Sequence, residues 1–270
     1  RRKVEAKILK PNFFRWYETE VFKKTLDETI SPYLTEGKAD LVDLAYRILL
    51  NLTADFSGID RLNKSVDETE RILIMLRTFG KAATLGQAKG EKDAISNEIK
   101  KSLEEFNTEF YKPSKKKRLE YINRFKLGEI KESDVPRDIL TELLKNQENL
   151  GLSDDIILKE TAFYLLAGAF TSIHTLTHAM HELFERIKDP IQENRVMNDP
   201  IYLQRCIHES MRLHPSSPTA MRRPTCPFHT NDGTILNKSD TLVIDLMAAN
   251  RDVSVFGLDA KEHNPERNLP

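Results

Sequence analysis

Apolar residues recur at three- and four-residue spacing along most of the chain, and the pattern changes near residue 214. Leu41, Leu44, Ala45, Ile48, Leu49 and Leu52 predict an amphipathic helix that stops before Gly58. Ile72, Leu73, Met75, Leu76 and Phe79 predict a shorter helix ending at Gly80. Between Ala94 and Phe110 the apolar positions Ile95, Ile99, Leu103, Phe106 and Phe110 are sparse and regular, so one narrow stripe is expected to be buried. The longest pattern opens at Ser153-Asp154-Asp155, a cap followed by acids that suit the positive end of a helix. It continues through Ile156, Phe163, Leu166, Phe170, Ile173, Leu176, Met180, Leu183, Phe184 and Ile187 until Asp189-Pro190. A helix over 153–188 is roughly 50 Å long, and the stretch from Ala162 to Phe170 is apolar all round, so this helix is expected at the centre. Asp199-Pro200 caps and opens a further helix over 199–214 that ends before Pro215. The stretch 215–250 is turn-rich: Asn231-Asp232-Gly233 signals a tight turn, and Thr241-Leu242-Val243-Ile244 has strand composition. The fold class read from this pattern is mainly α with a small β-sheet.

Composition narrows the function classes. The 270 residues carry 41 Lys and Arg against 42 Asp and Glu, a net charge of −1, which argues against coating nucleic acid or an anionic membrane. With 39% hydrophobic and 31% charged residues, the chain reads as a globular protein. The two cysteines rule out a disulfide framework and point to a reducing, cytoplasmic compartment. No targeting segment shows itself: Arg1-Arg2-Lys3 is not followed by an apolar stretch of signal length. The most apolar run, Ala162 to Ile173, is short for a bilayer, so no membrane anchor is expected. The absence of an initiator Met leads us to expect an internal piece of something longer.

Several groups carry candidate chemistry. Gly168 sits mid-helix, where glycine costs about 1 kcal/mol relative to alanine. Either a flat ligand comes close to the helix there, or a second helix crosses and needs a small residue. Thr171 and Ser172 add hydroxyls to the same stretch, and Thr171 is placed to bond back to the Ala167 carbonyl. Glu209 and Arg212 share a helix face, and their neighbours Ile207, Met211 and Leu213 imply burial, where such a pair calls for a third polar partner. His174, His178 and His181, with Glu182 and Glu185 nearby, have helical spacing that two metal-sharing histidines use, although packing or solvent exposure serves as well. Lys115-Lys116-Lys117-Arg118 reads as a solvated helix face, with a localisation signal or anion patch as the sharper alternative. Cys206 and Cys226 lack the spacing of a zinc or redox pair, and Cys206 is expected to be buried.

Three motifs, in order, resemble one family. Ala167-Gly168-Ala169-Phe170-Thr171-Ser172 resembles the central-helix motif of cytochromes P450, usually [AG]-G-x-[DE]-T-[ST]. Glu209-Ser210-Met211-Arg212, followed by Leu213-His214-Pro215, resembles that family's E-x-x-R helix and its exit. Asn250-Arg251-Asp252, Phe256 and Asn264-Pro265-Glu266-Arg267 resemble the stretch leading into its meander. The likeness is specific from about Ser153 to Pro270 and general before it; Arg1 to Phe14 is similar to the helix lying against the haem edge.

The resemblance implies a single P450-like domain over 1–270, soluble and bacterial in type, incomplete at both ends, with 251–270 as the start of the meander. It implies a haem b under the central helix, with dioxygen bound beside Thr171 and room left by Ala167 and Gly168. Glu209, Arg212 and Arg267 would form the family's buried charge triad, and Arg223, or else Arg222, would pair with a haem propionate. The implied activity is a monooxygenase inserting one oxygen atom from O2 into a small apolar substrate, with electrons from a ferredoxin or flavoprotein. The alternative is a non-catalytic P450-like binding module without haem. Departures are plain: Phe170 stands where the family has an acid, and Asn268 stands where the meander has phenylalanine. No axial cysteine occurs in its usual loop, so that ligand is expected beyond Pro270, and this stretch alone is expected to be inactive.

Overall fold

The computed structural model describes residue 6 and residues 10–85 and 92–267. The remaining positions lie outside the described residues, among them most of the expected haem-edge helix at the start of the chain, and Asn268 and Pro270. The described chain divides into two compact units, Arg1–Phe170 and Thr171–Pro270, and the division falls inside the longest helix.

Among its described residues the first unit consists of helices and the loops that join them. Helix α1, Pro11–Trp16, passes through a π-helical turn, Tyr17–Phe22, into α2, Lys23–Glu36. Helix α3, Leu41–Ser57, is capped by the Asp40 carboxylate and stops at Gly58, whose φ of 84° is the left-handed conformation that ends helices cheaply. Gly58 is also walled in, because an added Cβ would lie 2.5 Å from Asp138 Oδ1. Helix α4, Val66–Thr84, is capped by Ser65 and runs straight through Gly80, so the predicted stop there is wrong. Nothing lies within 4 Å of a Cβ built on Gly80; one glycine costs a helix only about 1 kcal/mol, and Lys81, Ala82 and Ala83 beyond it are strong helix formers. Helix α5, Lys92–Phe106, gives way to a π turn, Asn107–Tyr111, before α6, Lys112–Lys126, so the predicted stripe from Ala94 to Phe110 is not one unbroken α-helix. Short helices α7, Ile139–Lys145, and α8, Gln147–Leu150, follow. Core side chains Leu50, Ile72, Leu76, Phe106, Ile139, Leu140 and Leu143 are at most 2% exposed.

Helix α9, Asp154–Arg186, is the long element read from the sequence, with Ser153 Oγ accepting from Ile156 N at 3.3 Å. It is not apolar and buried all round: Phe163 is 57% exposed beside a nearly wholly apolar groove of about 350 Å³ lined by Phe79, Ile99, Leu103 and Leu166. Length and composition would let α9 cross a membrane, unlike the short run from Ala162 to Ile173 judged alone. Ile157, Thr161, Leu165, Ala169, Ile173 and Ala179 are nevertheless buried within the fold.

The second unit continues with α10, Pro190–Asn198, and α11, Pro200–Leu213, capped by Asp189 and Asp199 and each carrying proline in its first turn. Four short strands then form two antiparallel pairs, the small β component expected late in a mainly α chain. Strand β1, Thr219–Arg222, pairs with β4, Leu242–Asp245; β2, Phe228–His229, pairs with β3, Ile235–Leu236, around a turn where Gly233 has φ 88°. Helices α12, Leu246–Ala249, and α13, Val253–Phe256, lead into the turns that end at Arg267.

Candidate functional site

Two constellations in the second unit and one contact in the first carry the sequence motifs. In the first unit, Gly168 is in direct contact with helix α3: an added Cβ would lie 2.7 Å from Thr53 Cγ2. Thr53 is itself fixed by donating to the Leu49 carbonyl at 2.6 Å. The two readings of Gly168 therefore separate, and the close helix crossing accounts for its missing side chain. Phe170, in the usual place of an acid, packs edge-on against Tyr46 with centroids 6.1 Å apart. Its apolar neighbour explains why an aromatic ring is accommodated there.

In the second unit Thr171 and Ser172 open onto a cavity of about 450 Å³, lined also by Thr175, Leu176 and Ala179 of α9 and by Ile207, Met211 and Ser216. Hydroxyls and aliphatic groups share this lining, which suits a largely apolar ligand oriented by a few polar contacts. Thr175 Oγ1 donates to the Thr171 carbonyl at 3.0 Å, so its lone pairs are turned outward. Neither cysteine lines the cavity: Cys206 is buried with Leu183 and Tyr202, and Cys226 is exposed.

The second constellation is built on α11. Glu209 Oε1 and Oε2 accept from Arg212 Nη2 at 2.7 Å and Nε at 2.8 Å, a two-pronged pair. Arg267 Nε donates to the same Oε1 at 3.1 Å, and so does the Asn264 backbone N–H at 3.1 Å. Arg212 Nη1 spends its remaining donors on the carbonyls of Ala260, at 2.7 Å, and Asn250. Burial works against the charged Glu209, but hydrogen bonds from Arg212, Asn264 and Arg267 outweigh it and hold the carboxyl below its usual range. Sequence reading missed a further member. Two guanidiniums facing one carboxylate would leave a net positive charge, and Asp259 supplies the balance, accepting from Arg267 Nη1 at 2.8 Å. Asn264 Nδ2 secures the other Asp259 oxygen at 2.9 Å. No local spacing reveals this partner, because it belongs to an irregular turn.

The histidine row resolves differently from a metal site. His178 stacks on His214, with ring centroids 4.4 Å apart and planes 6° from parallel, and His214 Nε2 lies 2.9 Å from Glu182 Oε1. Among the described residues no three His, Cys, Asp or Glu side chains gather as metal ligands. Arg222 turns its guanidinium onto the Met221 carbonyl at 2.8 Å, whereas Arg223, just beyond β1, is exposed and makes no hydrogen bond among the described residues.

The basic run also departs from its reading as a solvated face. Arg118 is 5% exposed and donates to Asp138 Oδ2 at 3.1 Å and to Asp60. The lysines before it remain nearer the surface, with Lys115 paired to Asp154 and Lys117 lying 3.4 Å from Asp60.

Comparison with known proteins agrees with these constellations. The family model for cytochrome P450 matches residues 59–270. Cytochrome P450 750A1 of Pinus taeda is 29% identical over 190 residues, which cover 63% of this chain and 36% of that protein. A self-sufficient cytochrome P450 monooxygenase, CYP505E4 of Penicillium expansum, is 28% identical over 150 residues, 49% of this chain and 14% of that protein. In three dimensions the chain is similar to the crystal structure of CalO2, with a TM-score of 0.72 at 20% identity, over 100% of this chain and 61% of that one. It is similar also to CYP109B1 from Bacillus subtilis, with a TM-score of 0.73 at 18% identity, over 99% and 66%. The chain thus spans about a third of its pine relative and about three fifths of the CalO2 structure. By the matched model and by the order of its motifs, the chain belongs to the cytochrome P450 family.

Proposed function

We propose that this chain forms part of a haem-thiolate monooxygenase that inserts one oxygen atom from O2 into a small apolar organic substrate. The observation that carries the reading is the cavity at Thr171 and Ser172, whose lining mixes aliphatic and hydroxyl-bearing side chains, in a chain of the P450 family. Such a lining fits one face of a flat, mostly apolar macrocycle, and Arg223 is the better of the two candidate arginines for a propionate, since Arg222 is engaged by its own strand. Neither cysteine belongs to the lining, so no thiolate ligand is among these residues. The chemistry such a group supplies when bound is activation of dioxygen at an iron tuned by its axial ligand.

This chain's own share is positioning and proton handling. Thr171 and Ser172 present hydroxyls to the cavity, where they orient water and hydrogen-bond a reacting oxygen. Leu176, Ala179 and Ile207 give the cavity an apolar wall, against which such polar contacts count for more than in open water. The cluster of Glu209, Arg212, Arg267 and Asp259 ties α11 to the turns before residue 267 and so holds that wall of the cavity in place. Electrons would come from a ferredoxin or a flavoprotein; one fungal relative is described as a bifunctional cytochrome P450/NADPH–P450 reductase. No observation favours the haem-free binding module over this reading.

The test is the reduced, carbon monoxide-bound absorption spectrum of the full-length protein. A thiolate-type band is expected. Purified protein that takes up no haem, or a spectrum without thiolate character, overturns the proposal.

A further inference from the structure

The proposed chemistry consumes protons, because the oxygen atom not inserted leaves as water, yet Phe170 occupies the place where an acid usually stands beside the threonine. A different polar route is visible on α9. Thr171, Thr175, His178 and Glu182 stand at helical positions spaced by four, three and four, which places them within an arc of about 60° on one face. Thr171 and Thr175 line the cavity, and His178, about 4.5 Å further along the helix axis than Thr175, is exposed to solvent. Thr175 keeps its hydroxyl hydrogen on the Thr171 carbonyl, which leaves its oxygen lone pairs to accept from a water.

We infer that His178 is the proton-supplying group for the Thr171 cavity, acting through water held by Thr175, with His214 and Glu182 setting how readily it gives the proton up. This inference rests on the function proposed above. The step is a proton transfer with no change of oxidation state. A protonated His178 ring nitrogen releases its proton to the Thr175-bound water, that water passes a proton to the Thr171 side, and the neutral imidazole recovers one from bulk solvent. The stacked His214 ring, 4.4 Å away, is among the groups that disfavour a charge on His178 and so loosen its proton. Burial, then His214, His174 and His181, push His178 below the usual imidazole range, and Glu182 alone opposes them. Those are the titratable groups facing His178: His214 from the end of α11, the others from its own helix.

The experiment uses the haem-loaded full-length protein without added organic substrate, reduced chemically and then mixed with oxygenated buffer. The rate of reoxidation is followed against pH. In the wild type the rate rises as pH falls through the mildly acidic range. In His178→Gln that rise is lost and the acid-side rate drops about tenfold, less than the roughly 100-fold or more of an acid in direct contact, because a water intervenes. In His214→Gln the rise moves to higher pH, and the NMR titration midpoint of the His178 ring moves up with it. Thr175→Val, which removes the water anchor and leaves His178 and His214 in place, slows the acid-side rate without moving that midpoint, and it serves where His178→Gln fails to fold. An unchanged profile in His178→Gln, a Thr175→Val protein at wild-type rate, or a His178 midpoint unmoved in His214→Gln overturns the relay. Failure to bind haem at all overturns the proposed function, and that outcome is seen before any of these profiles is recorded.

Discussion

Each unit buries a cluster of ionised side chains, and the two are built to opposite plans. In the first unit one guanidinium, Arg118, faces two carboxylates, Asp60 and Asp138, and the surplus negative charge is met by Lys117 and by the Thr141 backbone N–H that Asp138 caps at 2.7 Å. In the second unit two guanidiniums, Arg212 and Arg267, face Glu209, and Asp259 makes up the missing charge. A buried ion pair is tolerated only when desolvation is repaid by near-complete hydrogen bonding and charge balance. Both clusters meet that condition, the first with a helix N-terminus and the second with a fourth side chain. The comparison teaches that the sequence motif E-x-x-R names only half of the group that makes its own cluster neutral.

The largest effect is expected from Glu209→Gln, which strands two guanidiniums with Asp259 as their sole acid. Urea unfolding should show a loss of about 3–5 kcal/mol, the range for breaking a buried pair from one side. A loss below about 1 kcal/mol would mean that the carbonyls of Ala260 and Asn250 suffice for Arg212. Arg118→Met should cost somewhat less, about 2–3 kcal/mol, because Asp60 keeps Lys117 and Asp138 keeps its capping role. Its neighbour Lys116→Ala, exposed and without an ion-pair partner among the described residues, should stay within about 0.5 kcal/mol. Equal costs at 116 and 118 would return the run to a plain solvated face.

The smallest and most discriminating effect is a difference in acid response. Glu209 is held below its usual range, so its stabilisation is full above the unfolded value of 4.5 and is lost as pH falls through the lower folded value. Asp55 in the first unit behaves oppositely. Burial raises it, against the pull of Thr25, which donates at 2.5 Å, and of Arg61 at 3.5 Å. Its charged form therefore weighs on the folded state at neutral pH, and that weight is relieved as pH falls through the raised folded value toward 3.8. Hydrogen exchange followed as pH falls below 4.5 should accordingly show amides of α11 loosening before those of α3. The reverse order would show that some other carboxylate controls the second unit.

Much of the helical plan was legible because its signals are local. Asp40, Ser65 and Asp199 each accept from backbone N–H groups at the start of a helix, and Gly58 ends one. Spacing also sufficed to put Glu209 and Arg212 on one face, since residues three apart on a helix are neighbours whatever surrounds them. Gly80 misled because a single glycine costs a helix only about 1 kcal/mol, and the exposed Lys81, Ala82 and Ala83 beyond it are strong helix formers that carry the helix on.

What the sequence by itself determined, then, is the order of the long helices it predicted, the ends of α3, α9 and α11, the hairpin at Gly233 and the family motifs, all of which depend on neighbours within about one helical turn. The tertiary structure alone decided that Gly168 answers to Thr53, that Arg118 leaves its lysine run to meet Asp60 and Asp138, that Asp259 completes the cluster on α11, and that His178 stacks on His214. Each of those partners lies too far along the chain, or in too irregular a turn, for any periodicity to register. Burial and charge neutrality are properties of the packed interior, and no single stretch of sequence contains them.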